Sequence, residues 1–402
     1  MLTRTLQIEL EGFLKVLNKG CETVTVTKQA FSKARKKFSE EAFILLDERL
    51  VDEFYTENTY QTWKGYRVLG IDGSTAQLPM SKEILKEFGG VTNQHGLVMA
   101  MGRISAMYDV LNELSVDAVL APYETGEREL ACAHVESLVA FDARTDGHRG
   151  HQQDLLLFDM GYPALWFMAY LFVLGKEFVI RTSEAFLKEV QEAIRAPQNA
   201  LVLQIPLQKP GRPLSPQLKA LVPDIDPTMG LSIRVLKLQL ADGTPEILLT
   251  TLLDARRFPY EDFQGLYAKR WGSETNYDVL KNILEIENFS GKSSLSVRQD
   301  FYATVLTNNI RGLIHWELQE EVEEENRSKE RKYAYQLNRN LSIGRLKDRL
   351  VTLILEQGDL QAFYEDLKRE MKQNMVPIRP GRQFSRKRKN RQKYPMSKKR
   401  AL

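Results

Sequence analysis

Five polar side chains recur at steps of three and four in the stretch YAKRWGSETNYDVLK: Tyr267, Arg270, Glu274, Tyr277 and Lys281. On one continuous helix, at about 100° per residue, they share an arc of roughly 80°. Ala268, Val279, Leu280 and Ile283 fall on the other side, so the apolar face is accounted for separately. A carboxylate between two cations suits a phosphodiester. Glu274 can help to hold divalent metal ions, while Arg270, one turn before it, and Lys281, two turns after it, hold phosphates on either side of the scissile bond. Tyr267 adds a hydroxyl for that backbone or a ring for an unstacked base, and Trp271 stands beside it. The plainer alternative is a solvent-facing stripe in which Arg270 pairs with Glu274 to support the helix.

Two more acids stand out by position. Asp72 closes the apolar run YRVLGID, and Asp159 closes DLLLFD. Strand-end carboxylates approached by a helix carboxylate can hold two divalent ions roughly 3.5 to 4 Å apart, which activate water and stabilise the leaving oxygen in phosphodiester cleavage. Mg²⁺ prefers such hard oxygen ligands, with Mn²⁺ as an alternative. Among 53 acids no single one is informative, and any one of them could simply end a strand or solvate a turn. Their joint placement carries the expectation that Asp72, Asp159 and Glu274 form one metal site.

The elements that must position them follow from the hydrophobic pattern. YRVLGIDGS, GLVMAMGRISAMYDV and SVDAVLAPY read as three strands, TGERELACAHVESLVAF as a helix, DLLLFDMGY as a fourth strand, PALWFMAYLFVLG as a helix and KEFVIRT as a fifth strand. Gly161 and Pro163 split the long apolar segment Leu155 to Gly175 into strand and helix, which argues against a membrane span. The result is an α/β fold, a mixed sheet with flanking helices. Residues 61–185 are expected to form its first part. A β-rich insertion (186–253) with a turn at Asp242-Gly243 follows, then a second part with the Glu helix (254–325) and a C-terminal helical region (326–376). Residues 1–60 read as helical, with Thr27 as an N-cap and Lys33, Arg35, Lys36 and Lys37 on a basic face, a DNA-binding region or a solvated pair.

With 402 residues, 43% hydrophobic and 27% charged, the composition is that of a soluble globular protein of several domains. Two cysteines, Cys21 and Cys132, without metal-type spacing, argue for a reducing cytoplasm. The chain opens without signal-peptide character. Net charge is +3, but residues 377–402 carry eleven Lys or Arg and no acid, so removing them leaves −8. That basic tail, with Arg386, Lys387, Arg388 and Lys389 at its densest point, has the composition of a disordered polyanion-binding arm. Cys132-x-His134 and His148-x2-His151 are poor zinc candidates, because the first pair diverges by about 200° on a helix. Trp166 and the pair His315-Trp316 read as packed core.

Tyr267-x2-Arg270-x3-Glu274-x6-Lys281 resembles the Tyr-Arg-Glu-Lys signature of DDE transposases of bacterial insertion sequences, the group that excises DNA through hairpin ends. IDGSTAQLP and LLLFDMGYPA resemble its two aspartate motifs, GRISAMYDVLN and ETGERELACAH its intervening segments, and the resemblance covers about residues 60 to 320. It implies a ribonuclease H-like core, two Mg²⁺ on Asp72, Asp159 and Glu274, and contacts from Tyr267, Arg270 and Lys281 to the element's DNA. Met160 departs from the pattern, since many relatives carry arginine there. The expected function is cut-and-paste transposition by phosphodiester hydrolysis and strand transfer. The partners would be terminal inverted repeats, target DNA and a second copy synapsed on the other end, in the bacterial nucleoid and away from any membrane. The alternatives are a Mg²⁺ nuclease without strand transfer, or a non-catalytic DNA-binding relative.

Overall fold

The computed structural model describes residues 5–17, 25–92, 94, 96–145, 153–208, 213–240, 243–329, 331–355 and 359–379. Three helices lead, α1 (Leu6–Leu17), α2 (Lys28–Arg35) and α3 (Glu41–Glu57). The core then runs β1 (Tyr66–Gln77), α4 (Lys82–Phe88), β2 (Gly90–Thr92), β3 (Val98–Asp109), β4 (Leu114–Pro122), α5 (Glu127–Thr145), β5 (Gln153–Phe158), α6 (Leu165–Val173) and β6 (Glu177–Thr182). Next come α7 (Lys188–Arg195), β7 (Ala200–Pro206), α8 (Pro216–Leu221), β8 (Gly230–Gln239) and β9 (Pro245–Thr250). The chain continues with α9 (Asp262–Ala268), α10 (Trp271–Asp278), a π-helical turn (Val279–Ile283), α11 (Ser294–Ser328), β10 (Tyr335–Leu337), α12 (Arg339–Leu355), α13 (Leu360–Lys372) and β11 (Met375–Pro377).

Among the described residues, nine strands form one mixed sheet. β1 lies antiparallel to β3 and parallel to β5, β3 antiparallel to β4, and β5 parallel to β6, so the core order is β4-β3-β1-β5-β6. This is the ribonuclease H-like arrangement that the resemblance implies. The strands of the β-rich segment extend that sheet: β9 pairs antiparallel with β6, β8 with β9 and β7 with β8. Two helices, α7 and α8, lie among them.

Both faces of the sheet are covered, which is why β5 reads as an unbroken apolar run. Leu69 and Ile71 of β1, with Leu156 and Phe158 of β5, pack against α3, α5 and α6. The alternate residues Val68, Leu155 and Leu157 pack against Phe263 and Leu266 of α9. Helix α6 starts at Leu165, two residues after Pro163, and among the described residues no helix is long and apolar enough to cross a membrane. Trp166 packs partly buried against the first core, and Trp316 meets Phe54 edge-on.

Thr27 caps α2 by accepting from the Ala30 amide at 3.2 Å. The basic face of α2 is divided. Arg35 docks the helix on α11 through Asp300 at 3.0 Å and Gln299 at 2.7 Å, while Lys33, Lys36 and Lys37 stay exposed.

Candidate active site

β1 and β5 pair in parallel from Tyr66 with Gln153 to Gly70 with Leu157. Asp72 and Asp159 each stand two residues beyond that last rung, Asp72 still on β1 and Asp159 one residue past the end of β5. The two chains part here. β1 runs on past Asp72 to Gln77, paired with β3, so Asp72 lies within the strand and not at its end. After Phe158 the other chain leaves the sheet in a turn closed by the Tyr162 amide donating to the Asp159 carbonyl at 3.1 Å. The alternation of side chains along β1 points Asp72 to the face that carries α9 and α10. Its carboxyl accepts from the Gly73 amide at 2.8 Å. Burial pushes that carboxyl up to about 6, and the charges of Asp159 and Glu274 add to the rise against the Gly73 amide and Arg270.

α10, which carries Glu274, lies close against β1. A Cβ on Gly70 would fall 2.3 Å from Ser273 Oγ, and one on Gly272 would fall 3.2 Å from Val110. A side chain at Gly70 would displace Ser273, and one at Gly272 would press on Val110. Tyr277 then donates its hydroxyl to the Asp72 carbonyl at 2.7 Å, joined by Ser105 Oγ from β3 at 3.2 Å. Asn276, buried in the next position, accepts from Asn308 of α11 at 2.8 Å. The stretch is not one helix. Bonds of the i to i+3 kind tighten it from Leu266 to Ser273, and the Leu284 amide bonds Val279 in a π-turn at 2.9 Å. The widened turn lets Val279 and Leu280 both enter the core, a device common at functional sites.

The other members of the stripe clamp the strands that carry the aspartates. Tyr267 donates to the Phe158 carbonyl at 3.2 Å, one residue before Asp159. Lys281 donates to Ser74 Oγ at 2.5 Å and to the Thr75 carbonyl at 2.7 Å. Arg270 donates to Glu274 Oε1 at 2.9 Å and lies 5.7 Å from the centres of both the Tyr267 and Trp271 rings. A profile of the transposase DDE domain matches residues 63–310, more than half of the chain. The chain belongs to the transposase DDE domain family. No curated protein sequence matches it significantly. Among solved structures, a piggyBac transposase synaptic complex with hairpin DNA is similar, with 10% identity and a TM-score of 0.40. The match covers 76% of this chain and 57% of that one, so this chain spans little more than half of that transposase's length.

Within the DDE domain the residues expected to meet DNA divide by exposure. Tyr267 is 4% and Arg270 5% exposed, Lys281 is half-buried, and Trp271 at 62% faces solvent. Arg386, Lys387, Arg388 and Lys389 lie outside the described residues, as do Cys21, His148 and His151. The carboxylates offer the oxygen-only donor set that a hard divalent ion takes. Glu274 is turned to Arg270, and among the described residues no three His, Cys, Asp or Glu side chains are drawn close enough to hold an ion. The donor chemistry fits such an ion, with Glu274 first exchanging partner.

Several residues of the site escape a reading by spacing. Arg181 of β6, one residue past the Ile180 that pairs with Phe158, forms an ion pair with Glu246 at 3.6 Å. His134 is buried between Asp117 (Nδ1, 2.8 Å) and Ser105 Oγ (Nε2, 2.9 Å), behind Asp72. The Ser-His-Asp order looks hydrolytic, but Ser105 is 1% exposed and can meet no substrate. It braces β3 and so the Asp72 carbonyl. Asp154, another acid of the same strand, is buried between Arg67 at 2.7 Å and Lys176 at 3.1 Å, a structural cluster at the far end of β5.

Proposed function

We propose that the chain is a DNA transposase of the cut-and-paste kind, acting at the ends of an insertion sequence. What supports this most is the placement of Asp72 and Asp159, each two residues past the last shared rung where β1 and β5 part, with α10, the helix of Glu274, packed against β1. Two divalent ions, Mg²⁺ or Mn²⁺, when bound to these three acids, supply activation of the attacking hydroxyl and charge relief at the leaving oxygen. Asp72 is held within β1, its carbonyl accepting from the hydroxyls of Tyr277 and Ser105, and Asp159 is held by the turn that the Tyr162 amide closes on its carbonyl. Glu274 turns from Arg270 toward the aspartates. Arg270, released, offers its planar fork to a phosphate of the element's end, and Lys281 sits along the same track. Trp271 offers an exposed ring to an unstacked base, and the basic tail adds affinity that does not depend on sequence.

The reaction we assign is nicking at the terminal inverted repeat, attack of the freed 3′-hydroxyl on the opposite strand to close a hairpin, hairpin opening, and transfer into target DNA. The Tyr-Arg-Glu-Lys spacing supports the hairpin step, and a homodimer synapsing two ends is the partner state. The test uses a duplex bearing the inverted repeats that flank this reading frame, incubated with the full chain and Mg²⁺. Nicked, hairpin and strand-transfer products are expected, and Asp159→Ala should yield none of them. Cleavage without hairpin or joined product would reduce the protein to a nuclease. Binding without cleavage would make it a non-catalytic relative.

A further inference from the structure

A cavity of about 440 Å³ opens between the turn joining β3 to β4, one face of α11 and β10. That turn is tied to the start of β1, where the Val110 amide donates to the Val68 carbonyl at 3.1 Å. Val68 precedes Asp72 by four residues, about 13 Å along a strand, so the cavity is separate from the aspartates. Its size is that of a small-molecule site.

The polar groups around it are incomplete. His315 lines the cavity and is 8% exposed, with its Nδ1 3.2 Å from Arg311 Nη1. A guanidinium only donates, so Nδ1 accepts and the ring carries its proton on Nε2. Burial and the charge of Arg311 push the ring down to about 3, which keeps it neutral. Nε2 has no hydrogen-bond partner among the described residues. A buried donor left unpaired is costly, and an acceptor brought in by a ligand would remove that cost. Trp316 lines the same cavity, half-buried and edge-on to Phe54, and Tyr335 lines the wall formed by β10 with Arg331 over its ring at 4.5 Å. Gln61 and Gln336, both exposed, bring two side-chain amides to the rim.

Charge narrows the ligand. Arg339 is the one cation among the described lining residues, and it is paired with Glu113, which Arg311 also holds at 3.0 Å. Glu323, at the rim, accepts from Gln319 at 2.8 Å. A phosphate or carboxylate would find no free cation here, and a purely apolar ligand would leave Nε2 unpaired. A neutral, flat ring edged with donors and acceptors meets both conditions.

We propose that this cavity binds an unpaired nucleobase, of a free nucleoside or of a single DNA strand. Trp316 and Tyr335 pack on the ring, His315 Nε2 donates to an acceptor on its edge, and the amides of Gln61 and Gln336 meet its remaining polar groups. The site stands on the cavity alone and does not depend on the metal-dependent reading above.

The test is equilibrium binding of the full-length chain to radiolabelled adenosine and thymidine, and to two single strands of equal length, one with bases and one abasic. Thermal melting confirms folding. Saturable binding of a nucleoside is expected. His315→Phe keeps a ring and removes the donor, and should weaken that binding by roughly three- to ten-fold. Gln336→Leu, at an exposed position, should melt like the parent and weaken binding to a similar extent. If a strand of DNA is the source, the base-bearing strand binds tighter than the abasic one and both variants narrow the gap. If nucleoside binding falls while that gap stays, the source is a free nucleoside. If neither nucleoside binds and the gap is the same in parent and variants, or if nucleosides bind both variants as they bind the parent, the proposal is overturned.

Discussion

The Asp72 carboxyl, raised to about 6 by burial and by the charges of Asp159 and Glu274, costs the folded protein free energy when it ionises. A folded-state value above the ordinary 3.8 means that its contribution to stability is fully present below about pH 4 and is lost as pH rises through about 6. The loss at neutral pH is on the order of 3 kcal/mol. In chelator, Asp72→Asn should therefore melt above the parent at pH 8, with the gap closing near pH 4. A variant that melts lower at pH 8 would show that the charge is well accommodated. The stripe divides labour in a second way that can be measured. Glu274→Gln should keep or tighten binding to an end duplex in Ca²⁺ while losing cleavage in Mg²⁺. Arg270→Ala should weaken that binding by roughly 1 to 3 kcal/mol, and it should also lower the melting temperature, because Arg270 is 5% exposed. A solvated stripe would change neither binding nor melting. Spacing shows which side chains share a helical face. It does not show what that face packs against, so the burial of Tyr267 and Arg270 and their clamping of the aspartate strands could not be read from sequence.

Gly70 and Ser273 set the distance between the sheet and the helix that carries Glu274. Gly70→Ala should destabilise the protein by about 1 to 3 kcal/mol through overpacking and cut DNA cleavage, since α10 must back away. Ser273→Ala removes the atom that lies 2.3 Å from the added methyl group. Its hydroxyl has no partner among the described residues, so the single change should be neutral and the double variant should recover most of the lost stability and cleavage. Melting curves and gel assays on the three variants decide it, and a double variant no better than Gly70→Ala would place the strain elsewhere. At this scale β1, β3 to β6, α5 and α6 were legible, because strand alternation and helical periodicity are local signals. The break in the YAKRWGSETNYDVLK helix was not. It arises from a demand made by the core, which takes both Val279 and Leu280. A wheel drawn at a constant angle cannot represent a tight turn followed by a wide one.

Charge is organised on the scale of the whole chain, with eleven cations in residues 377–402 against −8 for the rest. Truncation after Ile378, which leaves β11 whole, should flatten the slope of log K against log salt for DNA binding by several units, at about −0.9 per phosphate neutralised. An unchanged slope would remove the tail from the DNA interface. That asymmetry was plain in the sequence, but the way the strands after Thr182 join the sheet was not, because edge pairing depends on partners far along the chain. Their order has a kinetic consequence. β9 must pair with β6, and β8 and β7 must follow, within the stretch that separates β6 from the helix bearing Glu274. Residues 72, 159 and 274 therefore meet only through contacts of long sequence separation, which form slowly and at high entropic cost. A chain still emerging from the ribosome carries its first two acids long before the third is made. On the function proposed above, the cutting centre comes into being only when synthesis has passed α10, and an unfinished copy of the protein leaves the DNA around it uncut.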